Sequence, residues 1–302
     1  MGGYVYMNGA IAPEDEARVS VFDRGFNYGD GLFETMKARG GEVLFLKEHL
    51  NRLKEGAGAI GIPLKTLKGL EADIRRGALK DLLRKNGLGN TLSYIKIIVT
   101  GGYAQAPGEL ARPTTVIVCR PIDEKIVSRR QKGGVKAVVV KDFRPAIPWV
   151  KSLNYLPNIL ARAEAERKGA YEAIFTGADS SLLEGASTNL FLVEGGGVKT
   201  PPALRRGAVG GVLPGIVRGK VMELALREGI KVLESPLYVE DLSKAEEAFL
   251  TNSIVDIVPL LSVDSRPVGC GKAGPVTRLL QERLNMHSER TPRGSLRGQA
   301  SE

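Results

Sequence analysis

Apolar and polar positions recur along the chain with two periods, and each period predicts a kind of element. The opening "YVYMNG" reads as a short strand ending in an Asn8-Gly9 turn. "GLFETMKARGGEVLFL" carries two apolar runs around Gly40-Gly41, the pattern of a β-hairpin. Residues 47–60 predict a helix ended by Gly61 and Pro63. Residues 67–85 predict a second helix, with apolar side chains at Leu67, Leu70, Ile74, Ala78 and Leu82. "TLSYIKIIVTGG" and "TTVIVC" read as strands. Together these make an α+β unit, a small N-terminal domain over residues 1–120.

From 121 to 134 the chain turns polar and basic, which predicts an interdomain linker. A larger, β-rich C-terminal domain is expected over residues 135–286. It opens with the strand "GVKAVVV", then a helix in "PNILARAEAERKG" stopped by Gly169. "YEAIFT" and "NLFLV" read as strands, residues 213–228 as a helix, and "IKVLE" and "EAFLTN" as further strands. A last helix is expected near 275–285. The stretch 287–302, "HSERTPRGSLRGQASE", has almost no apolar residues and predicts a disordered tail. No internal repeat is visible.

Composition narrows the class. At 302 residues, 43% hydrophobic and 25% charged, the chain can bury the cores of two ordinary globular domains. It holds no uncharged apolar run long enough to span a membrane, and its first residues do not read as a signal peptide. Two cysteines, Cys119 and Cys270, make no disulfide framework, so a cytoplasmic protein is expected. Two histidines, His49 and His287, leave little for a zinc site, and no metal is expected. The net charge of +9 invites a nucleic-acid reading. However, the basic residues are scattered, with no aromatic interleaving, so neither nucleic acid nor membrane is an expected partner. Attraction to small anions explains the charge as well.

Several stretches carry candidate chemistry. In "IPWVKSLNYLPNIL", Lys151 sits among apolar neighbours, which should lower its pKa and make its amine a nucleophile for carbonyls. The alternative is a packed stem with the amine reaching water. In "SSLLEGASTNLFLV", Glu184 interrupts two apolar runs and could hold a proton on a ring nitrogen, or could sit in an exposed turn. Glycines 207, 210, 211 and 215 precede or open a helix whose free N–H groups could bind phosphate, or form a flexible loop. Thr251, Asn252 and Ser253 in "LTNSIV" add small donors or mark a plain turn. His49 and Arg52 are three apart and share a helix face. A Schiff-base lysine, a carboxylate for a ring nitrogen, an arginine and a helix terminus for phosphate are the parts that pyridoxal phosphate requires.

The motifs "FDRGFNYGDGLFETM", "EHLNRL", "VKSLNYL", "LLEGASTNLFLV", "LPGIVR" and "FLTNSIVDIVPL" follow in the order of one family. The chain resembles the class IV aminotransferases, the fold type IV pyridoxal-phosphate enzymes, over about residues 4–285. The resemblance implies a two-domain α+β fold, pyridoxal 5'-phosphate as cofactor and a homodimer. It implies Lys151 as the Schiff-base lysine, Glu184 on the pyridine nitrogen and Arg52 on the phosphate. Ile216 and Val217 match the amide pair at the phosphate, Ser253 a further phosphate contact, and Tyr155 a tyrosine at the cofactor's phenolic oxygen. Tyr28, Phe33, Tyr94 and Lys96 match substrate-pocket positions. Among family activities, the expected one moves an amino group between a small, branched-chain amino acid and 2-oxoglutarate. The alternative is an aminodeoxychorismate lyase giving 4-aminobenzoate and pyruvate, toward which "TNSIVDIVP" leans. D-amino-acid aminotransferases read "TRG" where this chain has "TGG" at 100–102, and Gly101 has no side chain for a carboxylate. Branched-chain enzymes read "YIR" where this chain has Tyr94-Ile95-Lys96; lysine keeps the charge but not the fork.

Overall fold

Tight turns with left-handed residues set up the first sheet. Asn8 and Gly9 have φ of 48° and 99°, and Gly40 and Gly41 have φ of 57° and 78°. Two successive residues with positive φ make the two-residue turn whose twist suits a hairpin. The first turn joins β1 (Tyr4–Met7) to β2 (Ala10–Pro13); the second joins β3 (Gly31–Arg39) to β4 (Glu42–Val43), with α1 (Arg24–Tyr28) between the hairpins. The helices α2 (Leu46–Ile60), α3 (Leu64–Arg75) and α4 (Ala78–Lys85) follow, then β5 (Ser93–Thr100) and β6 (Thr115–Pro121). The six strands order as β2-β1-β6-β5-β3-β4. The computed structural model describes residues 2–103, 112–141, 147–203 and 211–290.

The single helix expected over 67–85 is two. Gly77, at φ 106°, breaks it: its N–H reaches Ile74 O, and α4 starts on the next residue. Glycine reaches that backbone conformation without a steric penalty. Apolar spacing continues across the break, because Leu70, Ile74, Leu79 and Leu82 all turn inward.

The chain separates into two compact units. The first comprises Met1–Asp123, Lys151–Asn154 and Ser288–Glu302; the second comprises Glu124–Val150 and Tyr155–His287. The expected linker is therefore mostly not a linker. Residues 124–133 form α5 (Glu124–Gly133), part of the second unit. It has an acid in its first turn, bases in its last, and one buried residue, Val127. That charge order suits the helix dipole, while one buried residue leaves no apolar stripe to read.

The second unit continues with β7 (Val135–Val140), α6 (Leu156–Arg167), β8 (Glu172–Thr176), β9 (Ser181–Gly185), β10 (Asn189–Glu194) and β11 (Gly197–Thr200). Next come α7 (Ile216–Arg227), β12 (Val232–Glu234), β13 (Leu237–Tyr238), β14 (Glu247–Asn252), β15 (Asp256–Val263), β16 (Arg266–Pro267) and α8 (Pro275–Arg290). Nine strands order as β12-β11-β10-β14-β15-β7-β8-β9-β13, and β16 pairs with β15. Strands β8, β10 and β14 are buried on both faces over nearly their whole length, which is why their sequences run apolar without alternation. Phe191 and Phe249 face each other across β10 and β14 with stacked rings 4.8 Å apart. Burying one such side chain contributes roughly 1.5–3 kcal/mol.

Two boundaries differ from expectation. The helix expected from 213 begins at Ile216, because Pro214 biases Leu213 away from helical backbone and Gly215 is extended at ψ 137°. Residues 287–290, expected in the tail, belong to α8, which runs to Arg290. Residues 291–302, and glycines 207 and 210, lie outside the described residues.

Candidate active site

In the first unit, Lys151 is placed by strand pairing. Strand β4 covers only the end of β3, at Ala38 and Arg39. The start of that same edge is taken by residues 151–153. The Phe33 N–H donates to Lys151 O at 3.0 Å, the Leu153 N–H donates to Gly31 O at 2.9 Å, and Leu32 bridges Ser152. The Lys151 side chain then lies over the Phe33 ring, with Nζ 4.4 Å from the centroid. Lys96 Nζ lies 4.6 Å from the same centroid. Two amines thus share one aromatic ring, which attracts each ammonium while their like charges oppose one another. Burial pulls the Lys96 amine down from its ordinary value.

Strand alternation sorts the neighbours. Thr35 pairs with Lys96 and Lys37 with Tyr94, so Phe33, Tyr94 and Lys96 share one face of the sheet. On β5 this face is half-open, and burial raises the Tyr94 phenol. Glu34 points to the other face and meets α2. Its Oε1 accepts from Arg52 Nε at 2.8 Å, and its Oε2 from Arg52 Nη2 at 2.7 Å. His49 Nδ1 lies 2.6 Å from Oε2. Burial pushes the Glu34 carboxyl up, but the charge and hydrogen bonds of Arg52, with His49, hold it at about 2. Burial pushes His49 down; Glu34 opposes, and the charges of Arg52 and Lys151 add to the drop. Tyr28 stands apart from the half-buried Tyr94 and Lys96: it is 69% exposed at the end of α1, with the Arg24 guanidinium 5.9 Å from its ring centre.

In the second unit, the turn 185–188 is gripped from several sides. Ala186 O accepts from Tyr155 Oη at 3.0 Å and from Asn158 Nδ2 at 2.8 Å. Ser187 O accepts from Asn252 Nδ2 at 3.2 Å. Buried Glu172 accepts from the Ser187 N–H and hydroxyl and from Thr188 Oγ1. Glu184, half-buried on β9 rather than in an exposed turn, precedes this turn. Its Oε2 accepts from Asn189 Nδ2 and from the Leu213 N–H, both at 3.0 Å. Ile216 and Val217 open α7 behind Gly215, and among the described residues no side chain caps that helix start. Ser253 is half-buried in the turn after β14, and Thr251 Oγ1, two residues earlier, is buried without a hydrogen-bond partner among the described residues.

Apart from Tyr28 and Arg24, these parts fall in the span that comparison with known proteins identifies. Residues 31–263 match the family model of amino-transferase class IV. The chain belongs to the class IV aminotransferases. A Methanocaldococcus jannaschii protein provisionally named a branched-chain-amino-acid aminotransferase is 35% identical over 93% of this chain and 94% of its own length. A D-alanine aminotransferase of Bacillus licheniformis is 30% identical over 93% and 95%. Among solved structures, the branched-chain amino acid aminotransferase of Escherichia coli superposes with a TM-score of 0.83, at 29% identity, over 95% of both chains. The branched-chain aminotransferase of the thermophilic archaeon Thermoproteus uzoniensis, solved with norvaline, gives 0.80, at 28% identity, over 94% of both chains. These neighbours carry the fold type IV architecture, as the motifs implied.

Three polar residues of this class IV aminotransferase escaped the sequence reading. Glu34 was the detectable one: a lone acid within an apolar strand, ahead of a helix whose His49 and Arg52 share a face. Glu172 and Asn189 gave no comparable signal, because each sits at the start of an ordinary apolar strand.

Proposed function

We propose that this enzyme transfers the amino group of a small branched-chain amino acid to 2-oxoglutarate, using pyridoxal phosphate carried on Lys151. The observation that carries the reading is the Phe33 ring with Lys151 and Lys96 both over it. An amine for the cofactor and a cation for a carboxylate stand on one apolar support, as an apolar amino acid requires. Lys96 would bind the substrate carboxylate, or the second carboxylate of the oxo acid, with Phe33 and Tyr94 walling the side chain.

The second unit fits the cofactor. Among the described residues the start of α7 has no side-chain cap, so the amides of Ile216 and Val217 suit a phosphate, with Ser253 as a further contact. Glu184, which accepts from the neutral Asn189 amide and Leu213 N–H, suits a protonated ring nitrogen, and Tyr155 would turn its hydroxyl from Ala186 O to the phenolic oxygen. When bound, pyridoxal phosphate supplies an electron sink for the carbon that loses its proton. Lys151 would take that proton from the substrate Cα and return it to the cofactor carbon as general base and acid. Glu34 would hold the Arg52 guanidinium rigid.

Two further parts belong to the reading. Phe22, Phe26 and Tyr28 are 66%, 72% and 69% exposed, which suits burial against a second copy in a homodimer. Two free thiols, one of them buried, suit the reducing cytoplasm. A D-amino-acid activity that relied on an arginine at position 101 is disfavoured, because Gly101 has no side chain to bind a carboxylate.

Purified protein with pyridoxal phosphate should be yellow, and borohydride should fix the cofactor to Lys151. Single turnovers with L-leucine and L-glutamate should then convert the bound cofactor to its amine form. If neither converts it and aminodeoxychorismate yields pyruvate, the lyase activity replaces the transaminase. Rapid conversion by D-alanine would show that position 101 does not decide stereochemistry.

A further inference from the structure

We propose that Asn189 is a positioning residue: its amide fixes the Glu184 carboxylate against the turn that enters α7. One side chain would then set the ring-nitrogen end of the cofactor site relative to its phosphate end. The proposal rests on the pyridoxal-phosphate reading above.

Asn189 is 5% exposed at the start of β10, and its backbone is paired with Thr251 on β14. Its Nδ2 carries two protons, and both are used. One goes to Glu184 Oε2 at 3.0 Å, the other to Leu213 O at 3.0 Å. The Leu213 N–H donates to the same Oε2 at 3.0 Å. The Leu213 residue is thus gripped at its N–H by the acid and at its carbonyl by the amide that holds the acid. The loop is closed, so the carboxylate cannot rotate without breaking two hydrogen bonds.

The other side of the amide is closed as well. A Cβ on residue 215 would stand 2.0 Å from Asn189 Oδ1, so only glycine lets the amide sit against the helix start. Gly215 is the N-cap residue of α7, directly before Ile216 and Val217. Few side chains meet these demands. Aspartate lacks the two protons, serine carries one, and glutamine is longer by a methylene where no space remains. The Asn189 amide and the Leu213 N–H are neutral donors, so these two orient the Glu184 charge without cancelling it. A cationic partner there would compete with a ring N–H for the carboxylate.

The test starts from the full-length protein, titrated with pyridoxal phosphate and followed by its visible absorbance. Failure of the wild type to bind would refute the cofactor reading itself. Given binding, Asn189→Ala should raise the dissociation constant about tenfold, the effect of one hydrogen bond to a charged group. It should also shift the pH titration of the bound cofactor's absorbance band. In a Glu184→Gln background, Asn189→Ala should change affinity by no more than about twofold, because the group it positions is already neutralised. Asn189→Asp keeps the shape and sets an acceptor against Glu184; it should weaken binding as Asn189→Ala does, and serves if the alanine variant does not fold. Wild-type affinity and an unshifted titration in either variant would overturn the proposal. So would an equal loss in both backgrounds.

Discussion

Glu34 and Glu172 are both buried glutamates, 1% and 0% exposed, each accepting several hydrogen bonds, yet their acidities move in opposite directions. Glu34 is held at about 2. Glu172 is pushed up by burial, against hydrogen bonds from Ser187, Ala173 and Thr188 and the charge of Arg162. The difference is charge at contact distance. Glu34 has a guanidinium on both oxygens, whereas Glu172 has hydroxyl and amide donors. Neutral donors can satisfy a buried carboxyl without holding it ionised; a contacting cation does both. One buried acid therefore anchors a charged arginine, and the other braces a turn.

The sharpest way to break this contrast is to neutralise each acid. Glu34→Gln removes the buried carboxylate that the partly buried Arg52 contacts with two nitrogens and should destabilise the first unit by about 3–5 kcal/mol, read as lost amide-exchange protection in β3 and β5. Glu172→Gln should cost only about 1 kcal/mol in β8, because burial already favours an uncharged group there. Equal losses would mean that hydrogen bonds rather than charge hold Glu34.

Acid titration should separate them by sign. For Glu34 the folded value lies below the ordinary 4.5, so its contribution is full above 4.5 and is lost as pH falls toward about 2. For His49, also lowered, protonation favours the unfolded chain, so stability begins to fall below about 6.5. For Glu172, raised in the fold, the sign reverses, and its contribution is lost as pH rises above 4.5. Stability of the first unit should thus fall from pH 6.5 downward, and Glu34→Gln should remove the lower part of that slope. A Glu172→Gln variant should flatten a slope of opposite sense in the second unit.

The smallest expected effect is at the surface. Arg167 and Glu164 pair on α6 in water, and Glu164→Ala should leave unfolding unchanged within error. A clear loss there would mean that exposed pairs in this chain behave like the Glu34 cluster.

Much of the fold was legible because its signals are local. Hairpin turns at Asn8-Gly9 and Gly40-Gly41, the αL glycine at 61 after α2, and continuous apolar runs in doubly buried strands each act within a few residues. Helix α5 was missed because it buries one valine and no stripe, and its side-chain partners, such as Val255 O for Gln131, lie far away in the chain. The helix split at Gly77 was hidden because apolar spacing carried on across it.

The candidate site divides in the same way. The sequence by itself determined which chemical groups are available and which are unusual for their surroundings, as with Lys151 and Glu184. Tertiary structure alone decided their partners. That Lys151 occupies the vacant edge of β3, that Phe33 lies beneath it, that Glu34 turns to the helix face, and that Asn189 joins Glu184 to Leu213 all depend on strand register. A shift of one residue reverses the face of every side chain on a strand, and such pairings join residues far apart in the chain. Hydrophobic periodicity fixes which face is inward but carries no record of which distant residue stands opposite.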